Sequence, residues 1–350
     1  MCAMSSAQRV FTTLSHQEPD RVPLALNLVL RGARELGLGI REYFSDPAHV
    51  VEAQLRLQRR FRSDVLFGFF HAALEYEAWG GEVVFTEDGP PNSGAQVLGS
   101  QQPLSSLRLP ALADAKGLLK VLQATQAMKA RVGEEVPILG VVVSPYSLPV
   151  MQLGFDRYIE LLLGDRAEFW KLMEPNIAFC QTWANALLAA VASAIVYFDP
   201  LASPTLVPRS LYQETGFRVA QRTFAGLQGP TVSLLASGRS LGVMDDLAAT
   251  GTLGVGVSCD EDLAQVKAAC RGRLAVIGNL NGLAMVDWSP AEAEAQVKQA
   301  LAQAGPGGGF ILCDTHGEIP WAVPDDTLMA LSEAVHTWGR YPLAWAAAHA

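Results

Sequence analysis

The sequence predicts a single α/β domain, residues 1–350, folded as a (β/α)8 barrel in which eight parallel strands alternate with helices. Two observations support this fold class. Eight short apolar runs rich in Val, Ile, Leu and Phe alternate with segments that carry helix-start signals. No G-x-G-x-x-G motif follows the first run, which disfavours a dinucleotide-binding, doubly wound sheet. An open doubly wound sheet of eight parallel strands is the alternative.

Each predicted strand is a continuous apolar run, as expected where both faces of a parallel sheet are buried. In chain order the strands are expected at Val22–Asn27, Asp64–Phe70, Pro137–Val143, Ala194–Pro200, Thr231–Ser237, Thr252–Cys259, Leu274–Leu280 and Gly309–Thr315. A segment rich in Gly, Pro and Ser, Gly80–Leu109, is expected to be an insertion after the second strand that covers the catalytic end of the barrel.

The helices between the strands are predicted from their caps. The pair Asp46–Pro47 places an N-cap before a proline and begins a helix that runs to about Phe61. Ser289–Glu292 forms a capping box at the start of another helix. The long stretch Asp156–Val191 is expected to form two helices, interrupted near Pro175, because proline disrupts a helix interior.

Composition and charge exclude several classes of protein. Lys and Arg number 26 against 35 Asp and Glu, so the formal net charge of −9 argues against a nucleic-acid binder. Half of the residues are hydrophobic and 17% are charged, which excludes a disordered chain. The longest apolar stretch, Ala186–Phe198, is shorter than the roughly 20 residues that span a membrane. Five scattered cysteines and the lack of a secretory leader predict a reducing, cytoplasmic location.

Candidate catalytic residues follow from the rule that the active site of a barrel lies at the carboxyl ends of its strands. Two of the six histidines fall there, His71 after the second strand and His316 after the eighth. Imidazole acts as a general acid or base near neutral pH, or as a neutral metal ligand. Asp199 follows an apolar strand, where desolvation raises a carboxyl pKa into the range of a general acid. The alternative for Asp199 is a cap on the following loop.

Other strand ends supply candidate substrate contacts. Asn279 and Ser237 end the seventh and fifth strands and are expected either to bind a polar substrate or to satisfy loop backbone groups. Four further side chains are expected to give the mouth an apolar lining suited to a small, partly aromatic substrate: Tyr146, Met151, Phe70 and Trp321. The alternative for these aromatic residues is a place in the core.

A metal site is a second interpretation of the same strand ends. Mixed sulfur, nitrogen and oxygen ligation suits zinc, and four side chains are candidates to converge on one ion: Cys313, His316, Asp199 and His71. The sequence has neither a C-x-x-C pair nor an H-E-x-x-H motif. Strand alternation leaves open whether Cys313 faces the barrel interior. Acid–base chemistry without a metal is therefore the alternative.

Five short motifs, in this order and at this spacing, cover nearly the whole chain and resemble one family. They are Arg9–Phe11, Glu18–Pro23, Glu77–Val83, Gly278–Asn281 and Ile311–Pro320. Together they resemble the uroporphyrinogen decarboxylase superfamily, whose fold is a (β/α)8 barrel. The resemblance therefore implies the same fold as the strand pattern.

The resemblance implies two chemistries, and the first is decarboxylation of a tetrapyrrole that carries many carboxylates. True uroporphyrinogen decarboxylases bind it with an Arg-Gln-x-x-x-Arg segment after the first strand, where this chain has Leu26–Gly32. Their essential Asp aligns with His71 and their active-site Tyr with Met151. Of these family residues, only the histidine near the end of the chain has a counterpart here, His316. By this comparison, a polyanionic porphyrinogen is not the expected substrate.

The second chemistry is methyl transfer with a corrinoid protein. Thiol-activating methyltransferases of the superfamily hold zinc with His-x-Cys after the fifth strand and Cys after the eighth. This chain has Leu235–Ser237 at the first position and His316 at the second, so that zinc pattern is absent. The resemblance leaves room for a rearranged zinc site drawn from the strand-end side chains, with three expected ligands: His316, Cys313 and Glu318.

The expected function is therefore a corrinoid-dependent methyltransferase that demethylates oxygen or nitrogen of a small substrate. His316, His71 and Asp199 are the expected catalytic residues, with zinc as a candidate cofactor and cobalamin carried by a separate partner protein. One alternative is a carboxy-lyase of altered specificity in which His71 replaces the usual Asp. The other alternative is a catalytically inactive barrel that binds a small ligand.

Overall fold

The structure is a computed structural model that describes residues 4–99, 101–270, 272–314 and 316–348. A curled sheet of eight parallel strands forms the predicted barrel. The strands are β1 (Leu24–Ala25), β2 (Leu66–Gly68), β3 (Ile138–Val143), β4 (Ala194–Phe198), β5 (Thr231–Leu234), β6 (Gly254–Gly256), β7 (Ala275–Leu280) and β8 (Phe310–Asp314). Each lies within the run predicted for it, and Thr315, the predicted end of the last strand, lies outside the described residues.

The strand order around the sheet is β1-β8-β7-β6-β5-β4-β3-β2, so consecutive strands are neighbours. All of the pairs are parallel. The register places Cys313 between Ala25 of β1 and Asn279 of β7. At the seam between β1 and β2, the Asp64 N–H donates to the Leu24 carbonyl oxygen at 2.7 Å. This bond links the two ends of the sheet.

Most barrel helices follow the strand after which they were expected. The α-helices that the structure describes are α1 (Ser6–Leu14), α2 (Arg31–Leu36), α3 (Ile40–Tyr43), α4 (Pro47–Phe61), α5 (Ala73–Ala78), α6 (Lys116–Val132), α7 (Pro149–Leu153), α8 (Phe155–Gly164), α9 (Arg166–Ala189), α10 (Arg209–Glu214), α11 (Gly216–Phe224), α12 (Met244–Ala249), α13 (Leu263–Cys270), α14 (Pro290–Ala304) and α15 (Asp325–Trp338). Among these helices, none combines the length and apolar character that crossing a membrane requires.

The long stretch forms two helices, α8 and α9, as predicted, but the break lies ten residues before Pro175, so its predicted position was wrong. Asp165 is the N-cap of α9: its backbone is extended, and its side-chain Oδ1 accepts the Glu168 N–H at 3.0 Å. Pro175 lies inside α9. Proline removes one backbone donor, but the neighbouring Met173 and Ile177 are buried in the core, and this packing holds the helix through that position.

The segment predicted as an insertion, Gly80–Leu109, lies against the helices that follow β3. It contains a two-stranded antiparallel ribbon, Val83–Val84 paired with Asn92–Ser93. Its Leu98 N–H donates to the carbonyl oxygen of Gln152 at 3.0 Å. The segment is thus held beside the carboxyl-terminal end of the barrel.

Helix α1 lies at the opposite, amino-terminal end of the barrel. Its Ala7 N–H donates to the Glu135 carbonyl oxygen, in the loop that leads into β3, at 3.0 Å. Val10 and Leu14 of α1 are buried and face the lumen. The lumen therefore has a closed floor and a mouth formed by the loops after the strands.

Candidate active site at the carboxyl ends of the strands

Three buried polar atoms at the mouth have no hydrogen-bond partner within the part of the chain that the structure describes. They are Asn27 Oδ1, His71 Nδ1 and His316 Nδ1. Their residues follow β1, β2 and β8; β8 pairs with β1, and β1 meets β2 at the seam. Since buried polar atoms are nearly always hydrogen-bonded, atoms left over at one edge indicate a place for a ligand or water. This side of the mouth is the candidate site.

The loop that carries His316 is held by the buried carboxylate of Asp314. Asp314 Oδ2 accepts the His316 N–H at 2.8 Å. The turn after β7 packs against both residues through Gly282: a Cβ there would lie 3.1 Å from Asp314 Oδ2 and 3.4 Å from His316 Nδ1. Burial raises the pKa of Asp314, against the lowering effect of the His316 N–H. Asp314 therefore positions the loop, and Gly282 leaves room for the imidazole.

Glu318, two residues beyond His316, carries a carboxyl group whose pKa burial raises to about 8. Its Oε1 accepts the backbone N–H of Leu30, which opposes the rise, and the Asp314 carboxylate adds to it. At neutral pH most of the Glu318 carboxyl is therefore protonated. A carboxyl group that keeps its proton at neutral pH, two residues beyond His316 in the same loop, is a candidate general acid.

His71 is a neutral imidazole packed among aromatic rings. Its ring centroid lies 5.1 Å from that of Phe44 and 5.9 Å from that of Phe85. Desolvation lowers the pKa of His71 to about 3. At neutral pH His71 therefore offers hydrogen bonds rather than a proton, and the expectation of an acid–base catalyst is replaced by that of a binding residue.

Asp199 is placed below a loop and not at the open mouth, where it was expected to act as an acid. Its Oδ1 accepts the hydroxyl groups of Ser144 at 2.7 Å and Ser147 at 2.6 Å. Burial raises the pKa of Asp199 to about 6, against these two hydrogen bonds. The side chain is 2% exposed. The side chain therefore holds the loop after β3, whereas the alternative given for Asp199 was a cap on the loop that follows it.

The expected zinc ligands do not assemble in this structure. Over the described ranges, no group of three or more His, Cys, Asp or Glu side chains is arranged to hold a metal ion. Cys313 lies 3.7 Å from Asp314 Oδ1, while Glu318 is turned to Leu30 and Asp199 to its two serines. In this arrangement the residues present therefore do not fit a zinc site.

The lumen below the mouth contains a cavity of about 70 Å³. Its floor is formed by Val10 and Leu14, and its upper end by Cys313, Asp314 and Gly317. Strand alternation alone left the direction of the Cys313 side chain open, and the structure shows that it lines the lumen. Most of the remaining lining is aliphatic, and Lys and Arg are absent from the described residues that line the cavity.

Comparison with known proteins places the chain in a family. The family described as uroporphyrinogen decarboxylase (URO-D) matches residues 5–338. The chain belongs to the uroporphyrinogen decarboxylase family. Within this family, an Alkalilimnicola ehrlichii uroporphyrinogen decarboxylase is 28% identical over 94% of this chain and 93% of its own length. A Tolumonas auensis uroporphyrinogen decarboxylase is 24% identical over 94% and 96%.

Solved structures show the same fold. A methyltransferase from Methanosarcina mazei superposes with a TM-score of 0.85 over 95% of this chain and 99% of its own, at 19% identity. A B12-independent methionine synthase from a Shewanella species has a TM-score of 0.57 at 15% identity, over 85% and 89%. At these identities the likeness concerns the barrel of the uroporphyrinogen decarboxylase family and not its chemistry.

In this member of the uroporphyrinogen decarboxylase family, two expected substrate contacts are core residues. Tyr146 is fully buried, and its hydroxyl lies 3.1 Å from Thr215 Oγ1. Phe70 is 1% exposed and stacks on Phe44 with ring centroids 5.4 Å apart. Their burial favours the alternative, a place in the core, because aromatic side chains at strand ends also pack behind the loops. Met151 and Trp321 are half-buried at the edge of the core and stay candidates.

The two polar candidates, Asn279 and Ser237, differ in their surroundings. Asn279 Nδ2 donates to the carbonyl oxygens of Ser258 at 2.9 Å and Glu261 at 3.2 Å, and the residue borders a polar cleft beside α14. Ser237 follows Ala236, and both have positive φ, 66° and 46°. Such strain in non-glycine residues is found at functional turns, so Ser237 stays a candidate contact and Asn279 a loop anchor.

Asn27 is the site residue that sequence reasoning missed. It ends the first predicted strand and follows Ala25, which lines the lumen, by two residues, so both lie on one face. The strand-end rule alone was sufficient to find it. Glu318 was expected only as a metal ligand, because its raised pKa depends on burial that the sequence does not reveal.

Proposed function

We propose that the chain is a methyltransferase that removes a methyl group from oxygen or nitrogen of a small, uncharged substrate. The observation that carries the proposal is the chemistry of the mouth. The Asn27 amide, the neutral His71 and the protonated Glu318 follow β1, β2 and β8, at the end of the barrel above a largely aliphatic lumen. Such a site suits a neutral molecule with one polar end, whereas a polycarboxylate needs cations in the pocket.

Glu318 is the proposed general acid. As the bond between the methyl carbon and the substrate oxygen or nitrogen breaks, the electron pair stays on the heteroatom. The carboxyl proton of Glu318 moves to that atom and leaves a neutral product. His316, whose Nδ1 has no partner within the described residues, orients the same heteroatom. Asp314 holds the His316 loop in place through its 2.8 Å hydrogen bond.

A corrinoid on a separate partner protein would supply the nucleophile that accepts the methyl group. Exposed apolar side chains around the mouth support a docking partner. Val84, Phe155, Leu206 and Leu283 lie in the connections that leave the carboxyl ends of β2, β3, β4 and β7. Apolar side chains grouped on one face of a domain are typical of protein contacts.

The second candidate function is decarboxylation, which the curated relatives favour by name. Uroporphyrinogen decarboxylases match 94% of the chain at 24–28% identity. The lining of the lumen, which has no Lys or Arg among its described residues, is the observation against it. The two functions differ in substrate charge, so one set of assays separates them.

The test follows two reactions with purified protein. Cob(I)alamin, added free, replaces the partner's corrinoid, and its absorption is followed with a panel of aryl methyl ethers and methylamines. In parallel, coproporphyrinogen is measured after incubation with uroporphyrinogen. We expect methyl transfer with at least one panel member and no coproporphyrinogen. Coproporphyrinogen formation without methyl transfer would establish the second candidate.

The catalytic role of Glu318 is checked with Glu318→Gln in the same assay. Since general acids contribute roughly 10²–10⁴-fold to rate, we expect a loss of kcat of this order. Glu333→Gln, an exposed position on α15, is the matched control and is expected to keep full activity. An unchanged kcat in Glu318→Gln would refute the role as acid.

A further inference from the structure

We infer that the barrel lumen is a binding site for a short apolar group of the substrate, whose polar end stays at the mouth beside His316. This inference deepens the proposed function and rests on it for the identity of the substrate. The lumen itself can be tested without any reaction. The substrate class inferred is a molecule with one small alkyl end and one methylated heteroatom.

Three small residues create the space. The interior of a (β/α)8 barrel is normally filled by bulky branched side chains. Here Ala25, Ala194 and Gly256 line the lumen at β1, β4 and β6 and leave a cavity of about 70 Å³. An apolar cavity of roughly 150 Å³ binds benzene or xenon. The lumen thus has about half the space of such a cavity, which suits a short alkyl group rather than a whole ring.

The lining is largely aliphatic and disfavours polar occupants. Val196, Val232, Ile277 and Ile311 are among the aliphatic side chains that surround the cavity. A water molecule needs two to four polar partners in a buried site. An aliphatic wall offers few of them, so burying an alkyl group is the favourable way to fill the space.

The upper end of the cavity lies next to the candidate site. Cys313 and Asp314 line it there, directly before the loop of His316. Gly317 lies over the lumen, where a Cβ would come within 3.7 Å of Leu234 and 3.8 Å of Phe198. Since Gly317 has no side chain, an apolar group can pass beside it while the attached heteroatom stays at His316.

Xenon is the probe, and the measurement is ¹²⁹Xe NMR titration of the full chain without substrate. We expect saturable binding to the wild-type protein. Ala194→Ile fills the cavity and should weaken xenon binding on the order of tenfold or more, because the added carbons take the place of the gas atom. Ala184→Val, at a buried position of α9 outside the cavity, is the matched control and should bind as the wild type does.

A second variant keeps the test valid if Ala194→Ile does not fold. Ile311→Ala enlarges the cavity and should strengthen xenon binding. Absence of saturable binding to the wild type, or binding unchanged in both lumen variants, would overturn the inference. In the methyl-transfer assay, lengthening the alkyl end of a substrate should lower KM for the wild type and not for Ala194→Ile. Xenon binding without any methyl transfer would refute the proposed function while the lumen site stands.

Discussion

Glu318 differs from an ordinary surface carboxylate because it keeps its proton at neutral pH. Burial raises its pKa from 4.5 to about 8. Between these two pH values the folded chain binds more protons at this group than the unfolded chain does. The contribution of Glu318 to the free energy of unfolding is therefore fully present below pH 4.5. It is lost as the pH rises toward about 8.

The raised pKa of Glu318 gives a prediction about stability that does not depend on an activity assay. In urea unfolding, the free energy of unfolding of the wild type should fall more between pH 5 and pH 8 than that of Glu318→Gln, which does not titrate. Glu333→Gln should follow the wild type. Equal falls in the wild type and Glu318→Gln would contradict the raised pKa.

The loop after β3 shows how one buried side chain organises an element. Asp199 accepts hydrogen bonds from Ser144 and Ser147, and the Ser147 hydroxyl in turn accepts the Leu201 N–H at 3.2 Å. Asp199→Ala should leave both hydroxyls without their acceptor, at a cost of about 1–3 kcal/mol for each buried group. Chemical denaturation checks the size of the loss.

Ser147→Ala is the control for this element, since it removes only one of the two bonds and should cost less than Asp199→Ala. Activity separates structure from catalysis. A folded Asp199→Ala protein of unchanged stability that has lost methyl transfer would show that Asp199 belongs to the chemistry instead.

Elements were predictable where burial alone determines them. All eight strands lie within the predicted runs, because a strand covered on both faces must be apolar throughout. The helix break predicted at Pro175 is absent there, because the packing of residues on both sides of the proline outweighs the lost hydrogen bond. The surroundings of Asp199 and Tyr146 could not be predicted in the same way. A position at a strand end indicates only that a residue lies near the mouth. The path of the following loop decides whether its side chain faces solvent, substrate or core.

The whole barrel depends on the seam between β1 and β2, which a buried ion cluster reinforces. Asp64, 1% exposed, accepts Arg9 Nη1 at 2.7 Å, Arg21 Nη1 at 2.6 Å and the Leu24 N–H at 2.8 Å. Asp64→Ala should cost about 3–5 kcal/mol, because it leaves buried charge uncompensated. Thermal and urea unfolding measure the loss.

Asp20 offers the matched control for the seam. It also binds Arg9, but its side chain is 20% exposed, so water replaces part of the lost interaction in Asp20→Ala. We expect a smaller loss than for Asp64→Ala. Similar losses in both variants would show that the cluster stabilises the seam through Arg9 alone.

At the scale of the molecule, fold and family followed from the strand pattern and the order of short motifs, since both extend along the whole chain. The site was only partly predictable. His316 and His71 were found because they end strands, whereas the neutral state of His71 depends on Phe44 and Phe85, which lie far from each other in the sequence. The lumen cavity could not be predicted, because it forms only where small residues on several strands face each other across the barrel.

The seam has a consequence for how a ligand and the barrel stabilise each other. Within the described residues, β1 and β2 are not paired with each other as a ladder. Asn27 and His71 lie just beyond the ends of these two strands. A molecule that hydrogen-bonds to both side chains spans the gap and acts as the missing rung of the sheet. Binding at the mouth would then add to the Asp64 hydrogen bonds across this seam, and such a ligand would stabilise the folded barrel.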